Sequence, residues 1–247
     1  MDEHIVSSYD DELKFIVRRI SEMGGQAERM VERSVAALIN SDWGLAQSVV
    51  ADDMLLDAAQ RELDERAIMT IAKRQPMAQD LREIVGAIRI SSDLERIGDL
   101  GKNIAKRVIA VHEHQQPIKL VRGIEHLSEL AIEQLKEVLD AYASRDHLRA
   151  QTIRDADEDI DAMYTSIFRE LLTYMMEDPR NITACTHLLF SAKNIERIGD
   201  HATNIAETIF YIKTGQQMEA DRPKNDTTAS MTIELPGSAP APGGAGE

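Results

Sequence analysis

One cysteine, Cys185, is all that the 247 residues contain. An internal disulfide and a Cys-x-x-Cys zinc or redox motif are therefore excluded; a buried helical thiol acting as a small hydrophobe is expected. Aromatic residues make up only 4% of the chain, and glycine is sparse before Gln216. Segments of alternating β-branched residues are few, which argues against sheet. No apolar run approaches the ~20 residues of a membrane span. Met1 to Tyr9 lacks the basic-then-apolar pattern of a signal peptide, so a soluble, cytoplasmic chain is expected. Positive charge is also scarce: 28 Lys and Arg stand against 43 Asp and Glu, a net charge of −15. A nucleic-acid binder needs a positive face to displace counterions, so no nucleic-acid partner is expected. The same field disfavours free phosphate outside a local basic pocket, and suits cations and basic protein surfaces. Catalytic signatures are missing too. No Glu-x-x-His of the di-iron bundles occurs, and Gly98-Asp99-Leu100-Gly101-Lys102 has the wrong glycine spacing for a P-loop. No nucleophile–base pair is evident, and an enzyme is not expected.

Ala, Leu, Ile, Glu, Arg and Met are abundant, and apolar residues reach 43%. These are helix formers or are tolerated in helices, which predicts an all-α chain with a sizeable core. The chain also repeats itself. Glu95-Arg96-Ile97-Gly98-Asp99 recurs unchanged as Glu196-Arg197-Ile198-Gly199-Asp200, and Asn103-Ile104-Ala105 recurs as Asn204-Ile205-Ala206. Earlier blocks align at an offset three residues larger: Ala46-Gln47-Ser48-Val49 with Ala150-Gln151-Thr152-Ile153, and Asp53 and Asp57 with Asp157 and Asp161. A long fixed period marks a duplicated supersecondary unit.

Breakers cut each unit into three helices. The first unit is predicted as Tyr9–Asn40, a helix capped by Asp42 and running to Arg74, and a third with Pro76 in its first turn, ending near Val111. The second is predicted as Ile118–Ala143, one helix to Glu177, and a third started by Asp178-Pro179 and ended by Gly215. The Gly24-Gly25 pair predicts a bend in the first helix. The result is two tandem, similar three-helix bundles, 1–115 and 116–217, followed by a Pro/Gly/Ala-rich tail, 218–247, expected to be disordered.

The chemistry lies in the repeated motif. Glu95, Asp99 and Asn103, and likewise Glu196, Asp200 and Asn204, are spaced by four and share a helix face. The stripe Leu81, Ile84, Val85, Ile88 continues into Ser91, Glu95, Gly98 and Asp99, so apolar residues give way to acids on the inward side. Partial burial of like charges is costly without a cation. One reading is a metal site in each unit, with oxygen ligands suited to Mg²⁺, Mn²⁺, Ca²⁺ or iron, and with Asp53, Asp57, Asp64, Asp157 and Asp161 as further ligands. The other is an ion-pair lattice in which Arg96, Arg197 or other Lys and Arg neutralise the acids. His112, His114 and His201 are expected to be solvated.

Over residues 5–217 the sequence resembles the PhoU family, accessory proteins of bacterial phosphate-specific transport. The resemblance rests on the two Glu-Arg-Ile-Gly-Asp motifs, Ala72-Lys73-Arg74-Gln75-Pro76, Leu172 to Arg180, and Met23-Gly24-Gly25. It implies two similar three-helix bundles, a homodimer, and a negative regulator of phosphate uptake and of the phosphate-starvation two-component response. The implied partners are the ATPase subunit of the phosphate ABC transporter and a phosphate sensor histidine kinase, met at membrane complexes by a peripheral protein. It also implies metal ions (Mg, Mn, Fe or Zn, in some members as iron or zinc clusters) at Glu95 with Asp99 and at Glu196 with Asp200. The alternative is a metal-binding helical-bundle enzyme or a metal-storage protein.

Overall fold

The computed structural model describes residues 2–111 and 118–218, and among these the chain is helical with no strand. The expected disordered tail and the histidines of the linker lie outside the described residues. In the first half, α1 (Asp2–Asn40), α2 (Trp43–Arg74) and α3 (Ala78–Ala110) pack as a three-helix bundle. In the second, α4 (Ile118–Ser144) packs on α5 (His147–Asp155), α6 (Glu158–Glu177) and α7 (Ile182–Thr214).

The ends of the helices follow local chemistry. The Asp42 carboxylate accepts the Leu45 N–H at 2.9 Å and starts α2. Asp146 does the same for α5, accepting from the N–H groups of Leu148 and Arg149. Gly215, at φ 74°, adopts the left-handed conformation that ends α7, and its N–H returns to Tyr211 O at 2.8 Å. Pro76 falls two residues ahead of α3 and not in its first turn. A proline disfavours a right-handed helical residue before it; Gln75 instead turns left-handed, at φ 49°, and closes α2.

Two expectations about continuity are corrected. α1 passes through Gly24-Gly25 without interruption. Gly24 is there for proximity: a Cβ at that position would lie 2.5 Å from Leu139 of α4. Conversely, the helix expected to run unbroken to Glu177 divides at Ala156-Asp157. The acid-rich run Asp155 to Asp159 is a poor helix former. Ala156 N–H still reaches Thr152 O, but Asp157 N–H contacts Arg154 O, a tighter step that turns the chain. A single 3₁₀ turn, Pro179–Asn181, capped by Asp178, then leads into α7.

Apolar stripes on the helices meet in one continuous core that spans both halves, from Met23, Leu38, Leu56 and Ile97 to Leu135, Leu171, Leu188 and Ile195. The halves join through α3 against α7 and α1 against α4. α3 is thus packed on by α1, α2 and α7, and its buried residues surround the helix more widely than one stripe. Leu81, at the start of the predicted stripe, is exposed.

Gly101 faces the backbone of α1, where a Cβ would stand 3.4 Å from Met30 C and Val31 N. Alanine fits there in ordinary contact. A larger side chain must push two helix backbones apart, at about 1–3 kcal/mol for overpacking. Gly101→Leu is expected to lower the thermal midpoint clearly while Gly101→Ala leaves it near the parent value; equal midpoints for Gly101→Leu and the parent would contradict this contact.

Candidate metal centres

Residues four apart advance 400° around a helix, so each step drifts by about 40°. Across Glu95, Asp99 and Asn103 the drift reaches about 80°, and the outer members part company. Glu95 and Asp99 lie half-buried against α2, whereas Asn103 is exposed. On α7, Glu196 is buried, Asp200 is half-buried and Asn204 is exposed. Asn204 turns toward α3, where its Nδ2 donates to Asp93 Oδ1 at 3.4 Å. His201, expected in solvent, joins it: its Nδ1 is 2.9 Å from the same Asp93 oxygen, in the seam between the halves.

The two clusters sit at matching places. Gly98 admits Leu56 and Met30, and Gly199 admits Ile160 and Gln134, the partners that the 104-residue offset equates. Their contents differ. In the first cluster the Lys102 ammonium lies 2.6 Å from Asp53 Oδ2 on α2 and 2.5 Å from Asp99 Oδ1 on α3. Burial alone would lower the lysine pKa; its hydrogen bonds to Asp53 and Asp99 more than offset this and hold it above the ordinary lysine range. Burial, then the Asp99 charge, push Glu95 above the usual carboxylate range, opposed by Arg96. The Arg96 guanidinium stands 3.7 Å from Glu95 and 3.6 Å from Asp99, at the exposed edge. Asp64 lies apart from this cluster, facing Ser91.

In the second cluster, Asp157 and Asp161 are each only 4% exposed, as is Glu196. The break between α5 and α6 places Asp157 where its Oδ1 accepts from Gln134 Nε2 at 3.2 Å and stands 3.3 Å from Thr203 Oγ1. Lys193 donates to Glu196 Oε1 at 2.8 Å. Glu196 Oε2 and Gln134 Oε1 are buried without a hydrogen-bond partner among the described residues. Burial pushes Glu196 up to about 7; Lys193 opposes this, and Asp200 and Asp161 add to it.

Neither cluster is a finished metal site, because among the described residues no three His, Cys, Asp or Glu side chains converge as a ready ligand set. The first does not fit an ion, since Lys102 holds the bridging place between two carboxylates. The second offers the donor chemistry of a hard-cation site, with carboxylate and amide oxygens of which two are buried and orphaned, beside a Lys193 that reaches only the Oε1 side of Glu196 in its hydrogen bond to that residue. Cys185 is buried, as expected. Sequence reasoning missed Lys102, Gln134 and Thr203. Lys102 is readable as an i,i+3 partner of Asp99, and Gln134 as an amide among the inward apolar residues of α4.

Glu196 gives the second cluster a pH signature. It titrates near 4.5 when unfolded and near 7 when folded, so the folded chain binds more protons between those values. Stability of the metal-free protein should therefore be highest below pH 4.5 as far as this group is concerned, fall as pH rises to about 7, and level off above. Glu196→Gln is expected to flatten that fall, read as urea midpoints across the range in chelator; an unchanged slope would contradict the burial of a charged Glu196.

With this geometry in view, the comparisons with known proteins are specific. The PhoU domain model matches residues 20–108 and 124–209, one match in each half. A phosphate-specific transport system accessory protein PhoU homolog from Rhizobium meliloti is 68% identical over 228 residues, covering 92% of this chain and 96% of its own. A homolog of the same description from Caulobacter vibrioides is 51% identical, covering 92% and 98%. The crystal structure of PhoU from Pseudomonas aeruginosa superposes with a TM-score of 0.81 at 37% identity, over 84% of this chain and 100% of that one. A duplicated helical bundle, acids at matching places in both copies, and relatives alike along nearly the whole length together show that this chain belongs to the PhoU family.

Proposed function

We propose that the chain is an accessory regulator of a phosphate-specific transport system. In this reading it is a non-enzymatic adaptor at the cytoplasmic face of the membrane. It links the ATPase subunit of the phosphate ABC transporter to a sensor histidine kinase, and holds the phosphate-starvation response off while phosphate is plentiful. The observation that carries the reading is near-full-length likeness to proteins named as phosphate-specific transport accessory proteins. Two further features support it. No helix among the described residues is long and apolar enough to cross a membrane, which suits a peripheral partner. The net charge of −15 suits basic surfaces on membrane-bound proteins, where complementary charge sets encounter rate and register. Two matching halves would present similar surfaces to two partners, or to a second copy in a homodimer.

A cation belongs in this proposal at the second cluster. Glu196, Asp157, Asp161, Asp200 and Gln134 would hold it, and it would supply the positive charge that the orphaned oxygens lack. Those ligands come from α4, α6, α7 and the break before α6, so the ion would fasten these helices together.

Deleting the gene is expected to raise a phosphate-starvation reporter in phosphate-rich medium, and unchanged expression would overturn the regulatory reading. For the metal, chelator-stripped protein should take up one Mn²⁺ per chain, lost with Glu196→Gln and Asp200→Ala together. Uptake of many ions per chain would favour the storage alternative instead.

A further inference from the structure

We propose that Lys102 is a built-in counter-ion that takes the place of a metal in the first cluster, so the two halves of the duplicated chain are chemically unequal: in the first an ammonium bridges acids of two helices, while the second keeps two buried oxygens unmatched beside its own lysine, Lys193. The equivalences are positional. Asp53, Asp57, Glu95 and Asp99 correspond to Asp157, Asp161, Glu196 and Asp200. The acids are therefore the same in number and type, and the difference lies in what stands among them.

At the position of Lys102 the second half has Thr203, and at the position of Met30 it has Gln134. The first half thus carries a cation and a thioether there; the second carries a hydroxyl and an amide. The ammonium does what a divalent ion does: it bridges a carboxylate on α2 to one on α3, at 2.6 and 2.5 Å. Its side chain is only 19% exposed, so it is set into the seam and does not lie over it. A tethered ammonium brings one charge and at most three hydrogen bonds, all directed. It satisfies Asp53 and Asp99 and leaves no vacancy for an ion between them.

In the second half the Thr203 hydroxyl brings no charge, and Gln134 adds an acceptor. Two buried oxygens, Glu196 Oε2 and Gln134 Oε1, are left without a hydrogen-bond partner among the described residues. Lys193 reaches Glu196 through Oε1, and its side chain is 38% exposed. The interruption between α5 and α6 at Ala156-Asp157, which has no counterpart in the continuous α2, turns Asp157 toward Gln134 and Thr203. Lys193 stands where the first half has Ser92 and brings an ammonium to Glu196 Oε1, whereas the exchanges of Lys102 for Thr203 and of Met30 for Gln134 remove a bridging charge and add oxygen acceptors.

The second-half limb of this inference rests on the cation reading above; the Lys102 limb does not, and the experiment separates them. Mn²⁺ uptake by the full chain is measured by equilibrium dialysis with metal analysis, at physiological ionic strength, for the parent, Lys102→Thr and Lys102→Arg. Lys102→Thr is expected to gain one Mn²⁺ per chain over the parent, and Lys102→Arg none, because it keeps the charge. Adding Asp99→Asn to Lys102→Thr should remove the gained ion. If the parent binds no Mn²⁺ while Lys102→Thr binds one, the cation reading of the second half fails and the role of Lys102 stands. Equal uptake by Lys102→Thr and the parent overturns the role of Lys102, whatever the parent binds. Should Lys102→Thr lose helicity in chelator, Mn²⁺ is expected to restore the far-ultraviolet circular dichroism; failure to restore it also overturns the proposal.

Discussion

An acid carried into a helical seam is costly to hold unless positive charge and hydrogen bonds meet it. The two copies of one duplicated unit meet that cost differently. Lys102 lies between Asp53 and Asp99 and bonds to both. Glu196, buried with one oxygen unmatched, is pushed up to about 7. Glycine makes these sites physically possible. A side chain at Gly199 would press on Ile160, Gln134 and Asp157, so the missing Cβ is what lets α4 and the start of α6 approach α7 with their polar groups inward.

These clusters are not isolated from each other. α3 and α7, which carry the two motifs, pack against one another and share a single apolar core with the outer helices. Polar ties reinforce the seam: Asp93 to His201 and Asn204 on one flank, and Lys136 of α4 to Glu28 and Glu32 of α1 on the other. Several of these contacts are partly exposed and individually contribute little to stability; their effect is to fix register. A cation drawn into the second cluster would act on α7, the helix that is also the larger part of the joint to the first half. In the adaptor reading proposed above, that joint is the physical connection between the two halves.

Several helix ends were legible from local rules. Asp42 caps α2, Asp178-Pro179 starts the turn into α7 and Gly215 ends it, because each acts on backbone groups within a few residues. Local rules were misleading where a distant neighbour settles the matter. The Gly24-Gly25 pair reads as an interruption, but α1 runs through it and Gly24 admits Leu139 of α4. Leu81 reads as core but is exposed near the start of α3. His201 reads as a surface residue but faces Asp93 across the seam.

The sequence alone determined most of the helices, their duplication and the placing of acids at equivalent points, since periodicity, capping and repetition are properties of the chain read in order. It also located Asp53, Asp57, Asp157 and Asp161 as companions of the motif. Only the tertiary structure decided which cation meets which acid. That choice depends on side chains from separate helices reaching a common point: Lys102 extends across to Asp53, and Gln134 of α4 meets Asp157 and Thr203. Four-residue spacing places Asn103 and Asn204 beside the acids on paper, but the slow rotation of the helix face carries them out of the cluster, because 3.6 residues per turn does not divide into fours.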